Sequence, residues 1–352
     1  MNPPPKNIGN TPGKAGEAPA AQEAARTDRL YRHAGIVTFF TLLSRVLGMV
    51  RDLVIAHRFG AGAATDAWVQ AFRIPNALRR LTAEGSMTIA FIPIYVRVRE
   101  EKGPEAARAF ARRVLGIVLA ATLVLAAIGI LFSEGLTTLF SPGFLADPEK
   151  FGLTARILRW TFPYLVLVSI VAWAMGVLNS EGRFAAPAAA PMLLNVGILV
   201  AVVGFEHSFQ PGIMAVAAGV LVGGAAQVLL QGPSLVGVGL RPPLPLSGWG
   251  DSDVRRLFRL LLPALFGVAV YEINLIILGI IASYLPTGQI FHYNNATRLM
   301  ELVLGVFTFA FTTAGQPAIS ELMARKDWTG LRETVRLTFS AVLFTILPAM
   351  AG

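Results

Sequence analysis

The stretch RVLGMVRDLVIAHRFGAGAATDAWVQAFRIPNALRRLTAEG, Arg45 to Gly85, decides how this chain is read. It is apolar enough to sit in a membrane. Yet it carries nine charges: Arg45, Arg51, Asp52, Arg58, Asp66, Arg73, Arg79, Arg80 and Glu84. The surrounding chain makes that pattern costly. Hydrophobic residues are 54% of the 352, charged residues only 14%, and the mean hydropathy is +0.60. Soluble domains carry about 25% charge, so the composition is that of a membrane protein. Cysteine is absent, which excludes disulfides, thiolate metal sites and cysteine nucleophiles.

A spanning helix needs about 20 mostly apolar residues. Candidate spans lie at 34–57, 67–96, 114–133, 155–178, 186–205, 212–231, 260–284 and 291–320, and a ninth begins near 335. The expected fold class is all-α, a polytopic transmembrane helix bundle. Residues 1–33 are rich in Pro, Gly, Ala and charge and lack a signal peptide's order, so they read as a disordered cytoplasmic tail. Residues 34–231 then form a six-helix lobe, 232–259 a cytoplasmic connection, and 260–352 an incomplete second lobe. A chain ending inside its ninth span is expected to be a fragment.

The net charge of +9 is mostly a topology signal. With the tail inside, twenty Lys and Arg fall in the tail and inside connections, and four (Arg58, Lys150, Arg156, Arg159) in outside ones. That is the positive-inside bias. It puts the N-terminus in the cytoplasm and removes the case for a nucleic-acid partner, since no basic and aromatic module accompanies the charge.

Six basic residues remain within spans: Arg45, Arg51, Arg73, Arg79, Arg80 and Arg298. Each charge at the bilayer centre costs about 2.5–3.5 kcal/mol on insertion scales. A lone arginine near a span end can snorkel to the headgroups, and Arg58 fits that reading. Several deep arginines need a water-filled cavity with partners. Arg45, Gly48 and Asp52 share one helical stripe. Pro75 is expected to kink the second span, and beyond it Arg79 and Arg80 point about 100° apart. Spacing alone does not choose which of them faces a cavity. Asp52, Asp66 and Glu84 cannot neutralise all the arginines. The surplus calls for an anion, and the planar guanidinium suits phosphate or carboxylate. A cationic cavity between apolar helices fits an amphiphile with an anionic head and a lipid tail.

Other signals carry less. His33, His57, His207 and His292 have no metal-ligand spacing, and no Walker A motif is present. Gly219 and Gly223 form a GxxxG pair, read as a helix-packing contact. Glu272, an acid inside the seventh span, is a candidate for binding a proton or coupling cation, or for pairing with an arginine. Arg73 and Pro93 are 20 residues apart and Arg298 and Pro317 are 19 apart, a weak internal repeat that fits two lobes meeting at a central site.

The segments SRVLGMVRD, FGAGAATDAW, AFRIPNALRRLTAEGSMTIAFIP, LNSEGRFAAPAAAPMLLN and TRLMELVLGV together resemble the MurJ (MviN) family of lipid II flippases, of the multidrug/oligosaccharidyl-lipid/polysaccharide exporter superfamily. The resemblance covers roughly residues 34–345. It implies a two-lobed exporter fold of fourteen helices, of which this chain would hold eight to nine. It implies a transporter, not an enzyme, that moves lipid-linked peptidoglycan precursor to the outer leaflet of the bacterial inner membrane for cell-wall synthesis. The implied binding residues are Arg45, Arg51, Asp52, Arg79 and Arg298, with Arg51, Arg79 and Arg298 facing the diphosphate. Asp66, Glu84 and Arg73 would be gating or charge partners, and Gly60 and Gly62 belong to the glycine-rich first connection. No cofactor is expected. Na+, H+ or the membrane potential would supply energy, lipid II and membrane lipids would be the partners, and the transporter would be monomeric. The chain departs from the family at Thr82, at Ser86–Met87–Thr88–Ile89, at Thr297 and in AFTTAGQPAIS near 310–320. These departures touch substrate contacts and second-lobe gating. The alternatives are a flippase for another lipid-linked oligosaccharide, a drug exporter of the superfamily, or a non-transporting membrane scaffold.

Overall fold

The computed structural model describes residues 17–80, 86–240, 250–301, 319, 322–323 and 327–351. Among them every regular element is helical. In chain order these are α1 (Glu17–Phe59), α2 (Ala63–Arg79), α3 (Ser86–Lys102), α4 (Pro104–Leu131), α5 (Ser133–Phe140), α6 (Pro148–Thr161), α7 (Tyr164–Ser180), α8 (Ala185–Phe205), α9 (Met214–Val236), α10 (Ser252–Ala282), α11 (289–301) and α12 (Trp328–Ala351). A short 3-10 turn, Pro142–Ala146, joins α5 to α6. Among the described residues four helical segments are long and apolar enough to cross a membrane, Pro104–Leu131, Pro148–Ser180, Ala185–Ser208 and Met214–Val236, and a fifth if the bent α10 counts as one span.

Three boundaries differ from the sequence reading. The tail was expected to be disordered through residue 33, but α1 begins at Glu17. Its first turns, EAPAAQEAAR, are dominated by Ala, Glu, Gln and Arg, the strongest helix formers. The second span is divided between α2 and α3, and Glu84 lies outside the described residues. The fourth is divided between α6 and α7 at Phe162–Pro163, where proline removes a backbone donor.

Two hydrophobic cores stand at opposite ends of the bundle. One gathers Ile55 of α1, Ala67 and Trp68 of α2, Phe144, α6, α7, α8 and α9, and reaches Ala282 and Phe291. The other gathers α3, α4 and α7 around Phe91, Phe110 and Trp173, and takes in Val254 and Leu257 at the start of α10. So α10 docks both its ends on the first part of the chain. Its middle exposes Phe266, Val270 and Ile277, apolar surface of the kind a bilayer covers.

Glycines bring α8 against α9. A Cβ on Gly197 would lie 2.6 Å from Gly223 Cα, and one on Gly219 would lie 2.6 Å from Ile198 Cα. The GxxxG pair is therefore a close helix crossing within one chain.

Charges tie the start of α10 to α3 and α4. Asp253 accepts from Arg97 Nη2 and from Lys102 Nζ, both at 2.6 Å, and Arg113 pairs with Asp251. Asp253 precedes the apolar stretch that begins at 260. The hydrogen bond from Lys102 is the main cause holding its carboxyl below the ordinary range, against opposing desolvation. A carboxyl depressed on folding stabilises fully above its unfolded pKa, about 4, and loses that contribution as pH falls through the folded value. Thermal stability should therefore fall more steeply as the pH drops below about 4 in the parent than in Asp253→Asn, with the two curves converging in stronger acid. Parallel curves would mean that this tie adds no stability.

Candidate functional site

α1 supplies the centre of the site. Its stripe of Arg45, Gly48 and Asp52 faces a cavity of ≈ 520 Å³, which Ser44, Asn195 of α8, and Asn295 and Arg298 of α11 also line. A second, smaller cavity adjoins it, lined among others by Phe72, Arg73 and Asn76 of α2, by Arg80 at its C-terminal cap, and by Leu275 and Thr297. Arg51, Asp52, Arg298 and Glu301 border both.

Asp52 is the junction. Its Oδ1 accepts from Arg51 Nε at 2.9 Å and Nη2 at 2.7 Å. Its Oδ2 lies 3.6 Å from Arg298 Nε. One carboxylate thus joins two guanidiniums, Arg51 of α1 and Arg298 of α11. Arg51 Nη1 also donates to Asn195 Oδ1 at 2.9 Å, and Asn195 Nδ2 donates to the Ser44 carbonyl at 3.0 Å. Among the described residues these contacts engage three of the five guanidinium N–H groups of Arg51, leaving two for an anion. Arg51 is mostly buried, whereas Arg298 keeps 45% of its side chain exposed. A fixed arginine therefore stands beside an accessible one.

The remaining residues fall into place around this junction. Arg45 lines the larger cavity and Arg73 the smaller. Arg80, not Arg79, lines the smaller cavity; Arg79 Nε donates to Asn76 Oδ1 at 3.1 Å. The helical phase separates the two side chains, and the packing of α2 turns Arg80 toward α10. There it meets Glu272 at 3.4 Å and stands over the Tyr271 ring. Glu272 is only 4% exposed. Among the described residues, five arginines (Arg45, Arg51, Arg73, Arg80, Arg298) line the cavities against two carboxylates, Asp52 and Glu301. Anionic ligands are favoured electrostatically in such a site. Arg58, read as a snorkelling residue, pairs with Glu206 at 2.7 Å.

Asp66 stands apart from the cavities. It is fully buried in a seam where α2 and the turn at Pro142–Ala146 meet the end of α10 and the start of α11. Its carboxylate accepts from Gly288 N at 2.7 Å, Phe291 N at 2.9 Å and Lys150 Nζ at 2.9 Å. Gln70 donates to the Gly279 carbonyl at 2.8 Å, and Gly143 N donates to Ser283 Oγ at 3.0 Å. Arg73 reaches the Leu275 carbonyl at 3.4 Å. The glycine-rich first connection sets this up. Gly60 turns the chain with φ +64°, and Thr65 bridges the Gly60 carbonyl and the Gly62 N–H, which starts α2 with Asp66 in its first turn. Opposite, Gly288 has φ +92°, and a Cβ there would lie 3.1 Å from the Ala61 carbonyl oxygen.

Asn195, Glu301 and Lys150 were not singled out from the sequence. A polar residue inside the apolar α8 was a usable signal for Asn195. Lys150 looked like an ordinary loop cation and gave none.

The family described as "Lipid II flippase MurJ" matches residues 55–352. A Vibrio cholerae protein named "Probable lipid II flippase MurJ" is 36% identical over 339 residues, covering 94% of this chain and 64% of the relative. The "Lipid II flippase MurJ" of Burkholderia cenocepacia is 37% identical over 326 residues, covering 89% and 63%. The chain thus spans less than two thirds of these relatives' length. A solved structure titled "Lipid II flippase MurJ, inward closed conformation" superposes with TM-score 0.71 at 24% identity, over 89% of this chain and 64% of that one. An inward-facing multidrug transporter of the MATE family superposes with TM-score 0.69 at 14% identity, over 88% and 69%. Both structural likenesses speak for a shared exporter fold. With most of its length matched by the family and by relatives above 30% identity, the chain belongs to the lipid II flippase MurJ family.

Proposed function

We propose that the full-length protein translocates lipid II, an undecaprenyl-diphosphate-linked peptidoglycan precursor, from the cytoplasmic to the outer leaflet by alternating access. The observation that carries this reading is the meeting of Arg51 and Arg298 on Asp52 at the border of two cavities. A diphosphate would take the remaining donors of Arg51 and the accessible guanidinium of Arg298, displacing Asp52 from part of its contacts. The apolar helix surfaces beside the larger cavity suit a lipid tail. A cationic drug would be repelled by the same arginines.

In this reading the protein is a monomeric transporter of the inner membrane with its N-terminus in the cytoplasm. The first connection, and with it the Asp66 seam, then lies on the outer side. Energy comes from a coupling cation, Na+ or H+, or from the membrane potential, and Glu272 is the coupling candidate. The test is rescue of cells depleted of their own lipid II flippase. Full-length protein restores growth and cell shape in this reading; normal insertion without rescue, or rescue only of another lipid-linked sugar pathway, rejects it.

A further inference from the structure

Lys150 is an unusual residue for a chain of this kind. Its side chain is 4% exposed and Asp66, its partner, is 0% exposed. The ammonium also stands 4.3 Å from the centroid of the Phe144 ring. Such a pair is costly to bury and tolerates the loss of one member badly.

The donors around Asp66 are of two kinds. The N–H groups of Gly288 and Phe291 come from the start of α11, across the seam. Lys150 comes from α6, which packs on α2 within the same part of the chain as Asp66. If the seam opens, α11 leaves with its two N–H groups while Lys150 remains.

We propose that Lys150 is a positioning residue for the gate: it is the standing counter-ion of Asp66, balancing the carboxylate both when α11 is docked and when it has left. This role rests on the alternating-access reading above. With Lys150 in place, Asp66 enters the dry seam as half of a neutral pair and still has lone pairs for the first turn of α11. Without it, docking α11 buries an uncompensated carboxylate. Water entering the seam relieves that charge, so the open arrangement gains. The phenyl ring of Phe144, 4.3 Å from the ammonium, adds a cation–π contact that helps to keep the cation in the seam.

The test uses full-length protein free of cysteine, with Ser283→Cys as a reporter inside the seam. Ser283 is 3% exposed there. The readout is the labelling rate of the purified protein by an impermeant maleimide, which needs no lipid II. Failure of the flippase assignment therefore leaves this test intact, and the two failures are distinguishable. Lys150→Met should raise the labelling rate roughly tenfold or more. Asp66→Asn combined with Lys150→Met removes both charges and should label more slowly than Lys150→Met alone. Parental labelling in Lys150→Met, or a double variant that labels as fast as Lys150→Met, overturns the proposal. Should Lys150→Met not yield folded protein, recovery of folded protein in the double variant supports the proposal, and no recovery overturns it.

Discussion

Replacing Arg51 or Arg298 by alanine in the full-length protein should weaken binding of an undecaprenyl-diphosphate head group by about ten- to a hundred-fold each, and abolish growth rescue in combination. Each guanidinium offers charge-assisted, paired N–H donors, and losing one such contact costs about 1.5–3 kcal/mol. Arg51 should tolerate lysine poorly. Its planar fork is what reaches Asp52 and Asn195 at once, and an ammonium cannot do both in one plane. Arg298 is more exposed, and among the described residues its ion pair with Asp52 is longer, so it should accept lysine with a smaller loss. Arg79 and Arg80 separate the geometric reading from the family resemblance. The resemblance implies that Arg79 faces the diphosphate, whereas the cavity lining holds Arg80. Binding measured on the single alanine variants decides between them. Unchanged binding and full rescue by Arg51→Ala, Arg298→Ala and their double variant would end the diphosphate-clamp hypothesis.

Gly197→Val should lower thermal stability by several degrees and weaken ligand binding as well. The valine side chain has no room, since even its Cβ would lie 2.6 Å from the backbone of Gly223 and 2.9 Å from the Gly219 carbonyl oxygen. Backbone cannot yield as a side-chain tip can, so α8 and α9 must separate. Overpacking of this kind costs about 1–3 kcal/mol. α8 also carries Asn195, two residues away, which holds Arg51 and the Ser44 carbonyl. A packing defect at 197 is therefore felt in the cavity. Gly204 supplies the control, because a Cβ there meets nothing within 4 Å. Gly204→Ala should leave stability unchanged or slightly raised, since alanine favours helix. Equal melting temperatures for Gly197→Val and Gly204→Ala would show that the α8–α9 crossing is not tightly packed.

Much of the fold was legible because its causes are local. Runs of about twenty apolar residues must be helical in a bilayer, since every backbone polar group has to be satisfied within the segment. The helices of the first part of the chain accordingly overlap their predicted spans. Breaks inside two spans were harder to see. Proline at 163 was visible, but proline at 93 lies within α3 without ending it, so the residue type alone does not mark a break.

The deep arginines were legible for a different reason. A charge in a membrane helix is costly wherever its partner lies, so Arg45, Arg51 and Arg298 announce a polar site before any partner is known. Which partner each finds is a matter of helix rotation and packing, and sequence spacing carries no trace of it. Asp66 and Arg51 both belong to the quoted stretch, yet one closes a seam and the other borders a cavity. Asn195 meets Arg51 across 144 residues, and Lys150 meets Asp66 across 84. Composition and periodicity thus determined that the chain is a helical membrane bundle with a cationic interior. Tertiary packing alone decided that Arg80 lines the cavity, that Asp66 grips α11, and that Lys150 lies buried beside it, because hydrogen bonds between helices depend on ångström distances that only the assembled bundle sets.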